Sequence, residues 1–87
     1  MTVYMVERNL PGIEMSALAA AQQAAIRQAT AMRDQGTPVR YIRSTFLPSE
    51  GLCMCLFEAE SADTVRRLND AANIPYQRVV EALDLAP

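Results

Sequence analysis

The stretch VRYIRSTFLPSEGLCMCLFEA, residues 39–59, decides the architecture. Two runs rich in β-branched, aromatic and aliphatic residues, Val39 to Leu47 and Leu52 to Glu58, flank the turn signal Pro48-Ser49-Glu50-Gly51. That arrangement predicts an antiparallel hairpin. On its N-terminal side the pattern changes. From about Glu14 to Asp34 the chain is alanine-rich and free of Gly and Pro, and Leu18, Ala25, Ala29 and Met32 recur at helical spacing. Gln23, Arg27, Gln28 and Asp34 lie largely away from that stripe. Gly36 suits a left-handed C-cap and Pro38 prevents continuation. On the C-terminal side, Ser61 is placed to cap a second helix, with Asp63 in its positive first turn. Val65, Leu68 and Ala72 would face the core, Arg66, Arg67 and Asp70 the water, and Asn73-Ile74-Pro75 would end it. The outermost elements read as strands. One runs from Thr2 to Arg8 and stops at Asn9-Leu10-Pro11-Gly12; the other runs from Tyr76 to Leu85.

The order β-α-β-β-α-β is the split-βαβ, or ferredoxin-like, α+β plan. Right-handed crossovers put both helices on one face of a four-stranded antiparallel sheet ordered 4-1-3-2. At 87 residues, 51% of them hydrophobic, the chain reads as a single domain over residues 1–87. All five aromatics fall in strands or at their starts, as a sheet-centred core requires.

The strands carry a second message. A sheet with one wet face alternates apolar and polar residues. Here Val3 and Met5 oppose Tyr4 and Val6, while Leu52, Met54 and Leu56 oppose Cys53, Cys55 and Phe57. In the last strand, Val80 and Ala82 oppose Val79 and Leu83. Both faces are apolar, yet only two helices exist to cover them. The expected partner is a second copy, sheet against sheet, in a two-fold homodimer of the dimeric α+β barrel type.

Composition excludes several function classes. All eight cations are arginine, set against ten acidic residues, and there is no histidine. Ser-His and Cys-His catalytic pairs, imidazole metal ligands and a histidine pH switch are therefore absent. A pI near 4.9 argues against a nucleic-acid partner. No segment approaches the ~20 apolar residues of a membrane helix. Met1-Thr2-Val3-Tyr4 does not open a secretory signal. The two cysteines, Cys53 and Cys55, sit two positions apart; strand geometry separates such residues by roughly 6.5–7 Å, at or past the reach of a disulfide. They read as free thiols in a reducing cytoplasm.

Glu7, Arg43 and Glu81 are charges within otherwise apolar strands, sharing a face with Met5, with Tyr41, and with Val79 and Leu83 respectively. On a common dimer face they would have to pair with one another or bind a ligand. Glu7 or Glu81 could then act as a general base, with Arg43 stabilising an enolate or carboxylate. Ser44 and Thr45 more simply satisfy local backbone. Cys53 and Cys55 share a strand face as a soft-metal pair would, although two ligands are too few. Carboxylates, Met54 or a second subunit would have to supply the rest. Core packing is the commoner role for such thiols.

Four segments carry a family resemblance. They are Tyr4-Met-Val-Glu-Arg8, Gly36-Thr-Pro-Val-Arg-Tyr-Ile-Arg-Ser-Thr-Phe46, the Cys53-containing strand ending Leu-Phe-Glu-Ala59, and Ile74-Pro-Tyr-Gln-Arg-Val-Val-Glu-Ala82. Together they resemble a small bacterial family of nickel-binding-protein-like ferredoxin-fold domains, over nearly the whole chain. The resemblance implies a homodimeric α+β structure, and nickel binding in one branch of the family. Without imidazole, this chain inherits no metal ligand from it. Three functions follow as alternatives. The first is a small cytoplasmic homodimer that binds a small ligand or a divalent metal ion. The second is a cofactor-free enzyme of the dimeric α+β barrel type acting on a small apolar organic acid or polyketide-like substrate. The third is a structural or regulatory module that binds a partner.

Overall fold

The computed structural model describes residues Met1–Pro87. Strand β1 (Thr2–Asn9) leads to helix α1 (Met15–Asp34). The hairpin β2 (Val39–Leu47) and β3 (Leu52–Ala59) follows, then helix α2 (Ala62–Ala71) and strand β4 (Arg78–Ala82). The sheet order is β2-β3-β1-β4 with every pairing antiparallel, which is the expected 4-1-3-2 order seen from the other edge. The fold is ferredoxin-like α+β.

The helix boundaries follow from capping chemistry. Gly36 adopts φ +90°, and the Thr37 amide donates to the Met32 carbonyl at 2.9 Å, closing α1. The Ser61 hydroxyl accepts from the Thr64 amide at 3.2 Å, Asp63 lies in the first turn of α2, and Asn73 takes the left-handed position at φ 58°. Ala25 and Ala29 are almost fully buried, so the α1 backbone approaches the sheet closely. With Met32 of α1 and Val65 and Leu68 of α2 they cover Val6, Cys53, Cys55, Phe57 and Val79. The opposite face presents Val3, Met5, Met54, Leu56 and Val80, all half-buried and covered by no helix.

The structure departs from expectation in two places. First, β4 stops at Ala82 and does not run on to Leu85. Asp84 instead pairs with Arg43 at 3.2 Å. Arg43 lies on β2, at the far edge of the sheet from β4, three strand spacings or roughly 14 Å away. The chain after Ala82 therefore turns across the open face, leaving Leu83 and Leu85 79% and 84% exposed. Second, a β-bulge interrupts β2: Tyr41 pairs with Phe57, and Arg43 with the very next residue of β3, Leu56. The extra residue resets the alternation. Tyr41 and Ser44, three apart, both lie on the helix side, while Arg40 and Arg43 lie on the open side.

One contact sets the end of the sheet nearest the cavity described below. Gly51, at φ +69°, accepts from the Leu10 amide at 2.6 Å, and a Cβ there would meet the Pro11 Cα at 2.6 Å. The hairpin turn and the β1–α1 turn thus interlock, bringing Leu10, Phe46 and Cys53 to one place. Gly12 has a similar φ of +72° with open space around it. Gly12→Ala should cost only the left-handed penalty of about 1–2 kcal/mol. Gly51→Ala should lower the urea midpoint clearly further, and equal losses in the two variants would refute the interlock. Ser61→Ala should cost about 1 kcal/mol through the lost cap, read in the same unfolding experiment.

Candidate functional site

Arg8 alternates with Val6 along β1, so its side chain passes beneath the helices, where the residue is only 2% exposed. Its guanidinium meets three acceptors. Nη2 donates to Asn69 Oδ1 at 2.6 Å, Nη1 to the Pro75 carbonyl at 3.3 Å, and Nε to Cys55 Sγ at 3.4 Å. Asn69 is itself fully buried, and its Nδ2 donates to the Val65 carbonyl at 2.8 Å, which turns its oxygen toward the arginine. All three acceptors are groups other than carboxylates. The ion pairs of the chain are Arg40–Glu58, Arg43–Asp84, Arg67–Asp63 and Arg78–Glu7, and Arg8 belongs to none of them. Its hydrogen bonds are largely met while its charge lacks a carboxylate, in a place where an uncompensated charge is costly.

Arg8 forms part of the wall of a cavity of about 160 Å³ between α1 and the sheet. Leu10, Leu18, Ala21, Ala25 and Phe46 make the apolar walls. A polar seam runs along one side. Gln22 Nε2 donates to the Tyr41 hydroxyl at 2.9 Å, the Tyr41 and Ser44 hydroxyls lie 2.6 Å apart, and Ser44 Oγ donates to Cys55 Sγ at 3.0 Å. With Ser44 giving its proton to sulfur, the Tyr41 hydroxyl donates to Ser44, so the seam has one direction and ends at Cys55. The β2 bulge makes this seam, because only there do Tyr41 and Ser44 face the same way. Cys53 Sγ lies 3.7 Å from Cys55 Sγ, and both thiols are free and buried. Burial, then the neighbouring Cys55, pushes the Cys53 thiol from 9.0 up to about 12, so it stays neutral at physiological pH.

The charges singled out in the strands do not meet as a group. Glu7 lies on the open face and pairs with Arg78 at 3.1 Å. Arg43 lies on the same face but pairs with Asp84, and the bulge separates it from Tyr41. Glu81 pairs across from Tyr4, which places it on the helix side of the sheet, exposed at the β4 edge and opposite in direction to Glu7. Cys53 and Cys55 do come together. Yet no three His, Cys, Asp or Glu side chains converge anywhere to hold a metal. Helix α1 covers the cysteines, so a copy docked on the open face could not reach them. The Arg8 cation 3.4 Å from Cys55 Sγ also repels a divalent ion. The donors present do not fit a nickel ion. Sequence reasoning passed over Arg8, Gln22 and Tyr41 as site residues. The usable signal was parity, since Tyr4, Val6 and Arg8 share one face of β1, where Val6 is a core residue and Tyr4 packs against the core.

Comparison with known proteins agrees with this fold. The crystal structure of SCO4226 from Streptomyces coelicolor A3(2) superposes with a TM-score of 0.78 at 25% identity, covering 97% of this chain and 99% of that one. No curated protein matches the chain. The family model described as nickel responsive protein SCO4226-like matches residues 4–82. The chain therefore belongs to the SCO4226-like family of nickel responsive proteins.

Proposed function

We propose that this chain is a small homodimeric binding protein that holds a small molecule in the cavity beneath α1. The observation that carries this reading is Arg8, a cavity-lining residue whose guanidinium is buried and held by three groups that leave its charge uncancelled. Such a group is costly to keep unless it serves a ligand, and its fixed orientation removes the ordering cost at the moment of binding. The glutamates considered as general bases, Glu7 and Glu81, lie outside the cavity, which favours binding over catalysis. Membership in a nickel responsive family fits this reading, because responding to nickel does not require the responding chain to coordinate the ion.

The open sheet face supports the dimer. Its centre is apolar, and two pairs within it, Glu7–Arg78 and Arg40–Glu58, cancel their charges before a second sheet arrives. Two buried free thiols suit a reducing cytoplasm.

A benzene-sized neutral probe tests the binding reading, since a cavity of roughly 150 Å³ holds benzene. Benzyl alcohol should raise the melting temperature of the wild type in proportion to its occupancy. Ala21→Leu, which fills the cavity, should abolish that rise while the variant stays folded. A rise that survives Ala21→Leu sinks the reading, as does a wild type stabilised by neither benzyl alcohol nor a charged probe of the same size. In sedimentation equilibrium the wild type should show twice the 9.6 kDa chain mass, and Leu56→Asp on the open face should halve it; a wild-type monomer at micromolar concentration would overturn the dimer. Because the folded Cys53 thiol holds its proton above the unfolded value of 9.0, the unfolded chain binds fewer protons between pH 9 and about 12. Stability should therefore fall across that window. Urea unfolding should show a shallower fall in Cys53→Ala than in the wild type; identical slopes would contradict the buried neutral thiol.

A further inference from the structure

Resting on the reading of the cavity as a ligand site, we infer that its ligand is a monocarboxylic acid with a short apolar body, its carboxylate seated on Arg8. The charge balance of the lining argues for this class. Arg8 is the one ionised side chain in the cavity wall, and no Asp or Glu lines it. A cationic ligand would place two like charges together in a desolvated space. A neutral ligand would leave the guanidinium as it is. A dianion such as a phosphate monoester would bury a second negative charge with nothing to meet it. A single negative charge completes the pair.

Donor geometry narrows the class further. Three of the five guanidinium N–H groups are committed to Asn69, Pro75 and Cys55. The remaining donors suit the paired oxygens of a carboxylate through charge-assisted bonds. Elsewhere the wall offers little to a polar ligand. The Tyr41 proton goes to Ser44 and the Ser44 proton to Cys55, so the hydroxyl seam is spent on itself. Beside it, Leu18, Ala21 and Phe46 are apolar, so the rest of the molecule must be apolar too. The volume of about 160 Å³ sets its size near that of a benzene ring or a short alkyl chain.

The test compares probes of one shape and different charge, by titration calorimetry on the full chain above the pKa of benzoic acid. Benzoate should bind once per chain, about tenfold or more tighter than benzamide, as expected for charge-assisted hydrogen bonds. Phenyl phosphate should bind more weakly than benzoate. Arg8→Lys should weaken benzoate by about tenfold while leaving benzamide within about threefold. Because substitution at Arg8 can unfold the protein, the wild-type ranking of benzoate, benzamide and phenyl phosphate stands as the independent readout. Benzamide binding as tightly as benzoate, or phenyl phosphate binding more tightly, would overturn the carboxylate assignment and leave the cavity reading intact. Failure of benzoate, benzamide and benzyl alcohol alike to bind would overturn both.

Discussion

The structure turns on one buried positive charge, the guanidinium of Arg8. Arg8 ties β1 to three other parts of the chain at once: to α2 through Asn69, to the loop before β4 through Pro75, and to β3 through Cys55. Asn69 is held by the α2 backbone in turn, so the arginine fixes the docking of that helix as well as the sheet beneath it. An aliphatic residue at position 8 would fill the same space at lower electrostatic cost. What it would not provide is a directed set of donors at the cavity wall. The arrangement sets a fixed charge beside the cavity at a cost in stability, which is what the ligand site proposed above would use.

The two faces of the sheet handle charge in opposite ways. On the open side each charged strand residue has a partner within its own chain: Glu7 with Arg78, Glu58 with Arg40, and Arg43 with Asp84. On the helix side Arg8 is surrounded by amide, carbonyl and thiol. Surface ion pairs contribute little to stability; what the open-face pairs do provide is local neutrality, which the second sheet proposed above would need in order to dock without stranding a charge. The segment after β4 adds to that face by carrying Asp84 over it to Arg43.

Periodicity, caps and turn residues were enough to read the element order, the sheet order and both helix ends from the sequence. These are local signals, and Ser61, Gly36 and Asn73 do in the structure what their chemistry suggests. The two-sided apolarity of the strands was legible for the same reason. The site was not. Glu7, Arg43 and Glu81 stood out because charges in apolar strands are conspicuous, but which side of a sheet a residue faces depends on an unbroken count of alternation. The β2 bulge breaks that count between Tyr41 and Arg43. Leu83, read as a strand residue beside Glu81, lies beyond the end of β4. Arg8 was overlooked because an arginine at a strand end reads as a solvated edge until Asn69 and Pro75 are brought against it by the second half of the chain.

That single irregular step in β2 also gives the cavity's lining slack against a change in chain length. Remove Ile42, and Tyr41, Arg43 and Ser44 would follow one another opposite Phe57, Leu56 and Cys55 in unbroken alternation, inward, outward and inward, so the same side chains would lie beneath α1. Relatives one residue shorter at this point would thus keep the hydroxyls in place and lose only the local kink. A deletion here is absorbed where it occurs and is not passed along the strand to what a ligand would meet.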